Sequence, residues 1–172
     1  MGGLPQYWHT ELRASAFTEV AAAFGVEVVQ AEADYTAEHG AAATSSLLAE
    51  PLSGSGASLS GASLSGVSLS EASWSGSRPT AIVYDNDVMA VAGLSCATRL
   101  GFKVPSDVSI VSWDDSALCE LTNPPLTAMG RDIAWIGATA ARLLRSLVGG
   151  EEVASVKEAA PELVVRGSTG PA

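Results

Sequence analysis

The stretch Arg78-Pro-Thr-Ala-Ile-Val-Tyr-Asp-Asn-Asp-Val-Met-Ala90, followed by Val108-Ser-Ile-Val-Ser-Trp-Asp-Asp115, decides the fold. Residues 80–84 are a short apolar run behind a proline, the pattern of a strand buried on both faces. Residues 87–100 then read as a helix that is apolar on most sides, with Val88, Met89, Val91, Leu94 and Cys96, and should be largely buried. Gly101 stops it. Val104-Pro-Ser-Asp107 turns the chain, and residues 108–113 form the next apolar strand. Strand, helix and strand in this order make one right-handed crossover of a parallel sheet.

The pattern continues on both sides. Asn123-Pro-Pro breaks any helix, and residues 126–129 are a short extended piece. Residues 132–148 form an amphipathic helix with Ile133, Ile136, Ala140, Leu143, Leu144 and Leu147 in one stripe. Asp132 caps it and Gly149-Gly150 stop it. Residues 163–165 are a last strand. Towards the N-terminus, residues 12–24 read as a helix with Phe17, Val20, Ala21 and Phe24 on one face. Gly25 ends it, residues 26–29 are a β-branched strand, and residues 36–49 are a helix capped by Thr36. The expected fold class is therefore α/β, a parallel sheet with flanking helices.

Residues 51–77 interrupt this order. Eleven of these 27 residues are serine and five are glycine. A five-residue repeat runs through them, with Leu59, Leu64, Leu69 and Trp74 at equivalent positions. Its spacing resembles that of pentapeptide solenoids, but four repeats make only about one coil, too few to bury a core. A flexible insertion between residues 1–50 and 78–172 is the expectation, with the repeat's apolar residues available for weak docking.

Composition narrows the function. The 172 residues carry a formal net charge of -10, and hydrophobic residues make up 47%. Such a chain is globular, and its acidity opposes binding to nucleic acid by this polypeptide alone. No run of residues reaches the roughly 20 apolar positions of a membrane span. Residues 1–9 lack the pattern of a secretion signal. Cys96 and Cys119 read as two thiols of a reducing cytoplasm rather than a disulfide.

Ligands of open parallel sheets sit beyond the carboxyl ends of the strands. Two acidic clusters occupy that edge: Asp85-Asn86-Asp87 and Asp114-Asp115. Asp87 opens a helix, where a carboxylate satisfies free N–H groups, and Asp115 has the same opportunity before residues 116–121. Asp114 leaves its strand beside Trp113. A carboxylate next to an aromatic ring suits a sugar, since the acid accepts hydroxyl hydrogen bonds and the ring covers the C–H face. Asn86 donates and accepts, which also suits hydroxyls. Arg13 lies off the apolar stripe of its helix and is either a solvated charge or a donor to ligand oxygens. Tyr35 follows the residue 26–29 strand and either packs or stacks on the same ligand. His9 and His39 read as surface residues. The chain shows no metal-ligand spacing, nucleophile elbow or phosphate-cradling glycine loop, so an enzyme, a metal and a cofactor are not expected.

These segments together resemble the lac-repressor-like (LacI/GalR) transcription regulators. The resemblance rests on residues 78–90, on Gly101-Phe-Lys-Val-Pro-Ser-Asp-Val-Ser-Ile-Val-Ser-Trp-Asp-Asp115, on Pro124-Pro-Leu-Thr127 and on Leu163-Val-Val-Arg-Gly-Ser-Thr169. Arg13-Ala-Ser-Ala-Phe17 and Asp34-Tyr-Thr36 match earlier segments of the family. The resemblance implies a periplasmic-binding-protein-like fold, here mostly its second lobe, and a sugar-sensing role. It implies Arg13, Tyr35, Asn86 and Asp114 as effector contacts, a homodimer with the helix over residues 87–100 near its interface, and DNA binding only through a head that this chain lacks. With almost all of the first lobe missing, weak or absent sugar binding by the chain alone is expected. The helix over 132–148 should keep an apolar stripe with few partners. Ser112 stands where the family commonly has glycine. A periplasmic sugar-binding protein of a transporter is the second reading. A phosphoacceptor or hydrolase built on the paired aspartates is the third.

Overall fold

The computed structural model describes residues 8–48, 68–70 and 78–171. The elements run α1 (Trp8–Ala23), β1 (Gln30–Glu32), α2 (Ala37–Leu48), β2 (Ser68–Ser70), β3 (Ala81–Tyr84), α3 (Asp87–Arg99), β4 (Ser109–Ser112), α4 (Ala117–Leu121), β5 (Thr127–Gly130), α5 (Ile133–Val148) and β6 (Glu162–Val164).

The strand–helix–strand unit forms as the sequence predicts, but β3 is an edge strand that buries Ile82 and Tyr84 on one face and leaves Ala81 exposed, rather than a strand buried on both faces. β3 pairs in parallel with β4, with Ile82 opposite Ile110, and β4 pairs in parallel with β5. Ile82, Tyr84, Ile110, Leu126 and Ala128 are buried with Met89, Ala90, Leu94 and Ala97 of α3. Leu47, Leu48 and Ala43 of α2 complete this core. Cys96 and Cys119 are free and buried. α2 and α3 meet closely at Gly40, where a methyl group would lie 2.8 Å from the α-carbon of Met89.

Three expectations are corrected. The strand expected over 26–29 lies later, at Gln30–Glu32, and pairs antiparallel with Ser68–Ser70 in a separate two-stranded sheet. Backbone pairing follows the available partner rather than β-branching alone, and Val26 is 56% exposed. Those three paired residues belong to the serine/glycine segment; the rest of the flexible-insertion reading falls outside the described residues. Second, β6 is antiparallel to β5, with Glu162 opposite Gly130. α5 and the segment after it leave and return at the same end of the sheet, so no crossover is made. Third, the stripe of α1 is not buried: Phe17, Val20 and Phe24 are exposed and only Ala21 of the four is buried.

The exposed stripe of α5 is as expected. Ile133 is 67% exposed and Leu144 62%, and Thr139 is the one residue of the helix that is buried. Asp132 caps α5 by accepting from the Trp135 N–H at 2.8 Å. Thr36 precedes α2 and accepts from the His39 N–H at 3.3 Å. The segment after β6 stitches the sheet together. The buried Ser168 hydroxyl donates to the Ile110 carbonyl at 2.6 Å and accepts from the Thr127 N–H at 2.8 Å.

Candidate functional site

The carboxyl ends of β3 and β4 deliver residues 85–87 and 113–115 to one edge. Both clusters follow directly on a strand and lead into a helix. The caps are not the expected ones. Asn86 caps α3, with an extended φ of −149° and its Oδ1 accepting from the Met89 N–H at 2.8 Å. Ser116 caps α4 by accepting from the Leu118 N–H at 3.1 Å. A cap must be the last extended residue before the helix, a place taken by Asn86 and Ser116 rather than Asp87 and Asp115. Asp87 instead accepts from its neighbour's N–H, Val88, at 2.8 Å and from the Ser116 hydroxyl, which links the two clusters. Asp115 grips Arg166 through two bonds of 2.8 and 3.0 Å.

Arg13 comes to the same edge from α1. Its Nη1 lies 3.4 Å from Asp85 Oδ1, and its guanidinium carbon lies 4.6 Å from the centroid of the Trp113 ring. The ring that the sequence offers to a sugar therefore carries a cation on one face.

Tyr35 adopts φ +68°, a region that costs a non-glycine residue about 1–2 kcal/mol. Its surroundings hold it there. Asn86 Nδ2 donates to the Tyr35 carbonyl at 3.1 Å. The Tyr35 hydroxyl lies 2.8 Å from Thr10 Oγ1 and 3.2 Å from His9 Nε2, and donates to Asp85 Oδ2 at 3.3 Å. Burial raises the Tyr35 pKa, against a lowering by the Thr10 hydrogen bond. Strain of this kind, fixed by several partners, is found at sites that must hold a shape.

Asp114 is the least satisfied group of the edge. No side chain among the described residues hydrogen-bonds or ion-pairs with its carboxylate. The residue surface is exposed, yet the acid group is crowded by protein. This desolvation is the main cause of a raised pKa; Asp87 and Asp85 raise it further, while Arg13 and Arg131 pull it down. Arg131 is held in turn by Glu158. Behind Asp114, the buried Ser112 hydroxyl donates to the Asp114 carbonyl at 2.7 Å. No positive φ is found at Ser112, so serine fits where the resemblance leads one to expect glycine.

The structure thus brings Arg13, Tyr35, Asn86 and Asp114 to one edge. Four neighbours there were not singled out from the sequence. His9 is not simply a surface residue, since it joins Thr10 on the Tyr35 hydroxyl. Both stand one helical turn before Arg13, a spacing that could have identified them. Asp85 was visible only as part of an acidic cluster. Arg131 had no sequence signal beyond its place after β5. Among the described residues no cluster of potential metal ligands is present, and no helix is long and apolar enough to cross a membrane.

Comparison with known proteins identifies the family and the fold. The family model of the periplasmic binding protein-like domain matches residues 2–169. The HTH-type transcriptional regulator MalR of Streptomyces coelicolor is 43% identical over 91 residues, 52% of this chain and 26% of that protein. A LacI family transcriptional regulator from Bifidobacterium animalis superposes with a TM-score of 0.77 and 39% identity, over 99% of this chain and 54% of the other. A LacI family regulator from Arthrobacter sp. FB24, solved in complex with lactose, superposes with a TM-score of 0.69 and 25% identity, over 92% of this chain and 51% of the other. The chain spans about a quarter of the length of the curated relative and about half of each solved structure. These relatives are transcriptional regulators, not enzymes. The chain belongs to the periplasmic binding protein-like domain family, in the form carried by LacI-type transcriptional regulators.

Proposed function

We propose that this chain is the effector-sensing portion of a LacI-type regulator and that its effector is a small sugar. The observation that supports this most is the Asp114 carboxylate: without a side-chain partner among the described residues, crowded by protein, and next in sequence to Trp113 at the strand end. Ligand hydroxyls would supply the hydrogen bonds that the protein does not. Arg13 would add donors, the Tyr35 hydroxyl, whose hydrogen goes to Asp85, would offer an acceptor oxygen, and Asn86 keeps one amide hydrogen and one lone pair beyond those used in capping and on Tyr35. The lactose complex of the Arthrobacter relative points to the same ligand class.

In this reading the chain works in the cytoplasm as part of a homodimer, and operator DNA is contacted by a separate head. Its net charge of -10 makes DNA binding by these residues unfavourable. A transporter's periplasmic binding protein is less well supported, because the sequence relatives are regulators.

The test is a titration of the full chain with lactose, cellobiose and maltose, followed by two-dimensional NMR to detect binding on the order of millimolar. Saturable binding of at least one sugar is expected, weakened about tenfold or more by Asp114→Ala. Binding unaffected by Asp114→Ala, or silence towards every sugar beside binding of a purine or an amino acid, would overturn the reading.

A further inference from the structure

Asp85 contacts two of the proposed ligand residues at once. One carboxylate oxygen lies 3.4 Å from Arg13 Nη1, and the other accepts from the Tyr35 hydroxyl at 3.3 Å. Its side chain is 11% exposed and that of Arg13 27%. Helix α1 and the loop before α2 are distant in sequence from β3, and this carboxylate at the end of β3 ties both to it.

From this geometry we infer that Asp85 is a positioning residue that neutralises Arg13 and makes the site select uncharged polyhydroxyl ligands over anionic ones. The inference rests on the sugar-sensing reading and deepens it. A guanidinium at a strand end is the natural anchor for a phosphate or carboxylate, through two parallel N–H bonds. Here Nη1 of that guanidinium lies 3.4 Å from Asp85 Oδ1, and its carbon lies over the Trp113 ring. The second arginine of the edge, Arg131, is committed to Glu158. Asp87 and Asp114 remain beside them, and both oppose an incoming anion. The charged groups at this edge include Asp85, Asp87 and Asp114 beside Arg13 and Arg131, with Arg13 facing Asp85 and Arg131 facing Glu158. A sugar phosphate or uronic acid would enter next to the negative charges of Asp87 and Asp114 and meet two arginines that each already face a carboxylate. A neutral sugar would meet acceptors for its hydroxyls.

The roles separate cleanly in variants. Asp85→Asn keeps the shape of the side chain and removes its charge, which frees the Arg13 guanidinium. Arg13→Gln in the same background removes the freed cation.

The experiment uses the full chain, labelled for NMR, with inorganic phosphate as the anionic probe and lactose as the neutral one. The Arg13 side-chain N–H and the Trp113 indole N–H are the reporters. In the wild type, phosphate should leave both reporters unmoved. Asp85→Asn should gain at least tenfold in phosphate affinity at Arg13, and Arg13→Gln/Asp85→Asn should lose that gain. Asp85→Glu, which keeps the charge, should behave as the wild type. A merely structural role for Asp85 would not create an anion site that depends on Arg13. Phosphate binding at Arg13 in the wild type overturns the proposal, whether or not the variants fold. So does an Asp85→Asn response equal to that of the wild type. Absence of any lactose response, with the phosphate pattern as expected, would refute the sugar reading while upholding the role of Asp85.

Discussion

The guanidinium of Arg13 lies 4.6 Å above the Trp113 ring, joining the first helix to the end of β4. A contact of this kind contributes roughly 0.5–1 kcal/mol at a partly exposed site. Arg13→Gln and Trp113→Leu should therefore each lower stability modestly. A double-mutant cycle in urea should return a coupling of about 0.5–1 kcal/mol. Additive effects would show that the two side chains do not interact.

Tyr84 and Gly93 set a stricter limit inside the core. A methyl group on Gly93 would lie 2.0 Å from the Tyr84 hydroxyl oxygen, and the ring is fully buried. The hydroxyl cannot swing away freely, since it lies 2.7 Å from Thr44 Oγ1. Burial pushes this phenol's pKa well above its usual value. Gly93→Ala should cost about 1–3 kcal/mol or more. Chemical denaturation would check this; an unchanged midpoint would mean that α3 can shift without loss.

Arg166 joins the segment after β6 to the loop after β4. It bonds both oxygens of Asp115 and the Leu126 carbonyl, the latter at 2.8 Å. Both partners are less than one fifth exposed. Arg166→Met should destabilise the chain by about 2 kcal/mol, the range of charge-assisted hydrogen bonds. Asp115→Asn should do less, because it keeps one acceptor. Equal, negligible shifts in thermal midpoint would contradict this role.

The raised pKa of Asp114 predicts a conflict between stability and binding. A carboxyl whose folded pKa is raised adds stability that is fully present below the unfolded value, 3.8, and is lost as pH rises through the folded pKa. Near pH 7 the ionised group therefore opposes folding. Asp114→Asn should raise the melting temperature at pH 7, and the gain should vanish below about pH 4. The same variant should bind sugar about tenfold more weakly. A melting temperature lowered at pH 7 would show that the carboxylate has a stabilising partner.

How much of this was legible in the sequence depended on the distance over which each feature is decided. The β3–α3–β4 unit is local: a short apolar run, a cap and a glycine stop set it. Pairing is not local. Residues 26–29 have the composition of a strand, but the ladder forms at 30–32, where a partner backbone is available. The antiparallel entry of β6 depends on where α5 returns the chain, which no periodicity records. The acids at the strand ends were identifiable as a group, but their roles were not. Asn86 and Ser116 took the caps, which released Asp87 to bond Ser116 and Asp115 to bond Arg166. The convergence of Arg13, Tyr35, Asn86 and Asp114 followed from family resemblance, and spacing alone does not reveal it. Asp85, the group that ties Arg13 and Tyr35 together, shows its role only once α1 and the Tyr35 loop are in place.

The central claim is that a sugar binds at the ends of β3 and β4. The most direct measurement is NMR mapping of lactose onto the full chain, comparing the wild type with Asp114→Asn. The account predicts saturable shifts at the Trp113 indole, the Asn86 amide and the Arg13 side chain, greatly reduced in Asp114→Asn. Shifts clustered away from these residues, or identical in the two proteins, would contradict it.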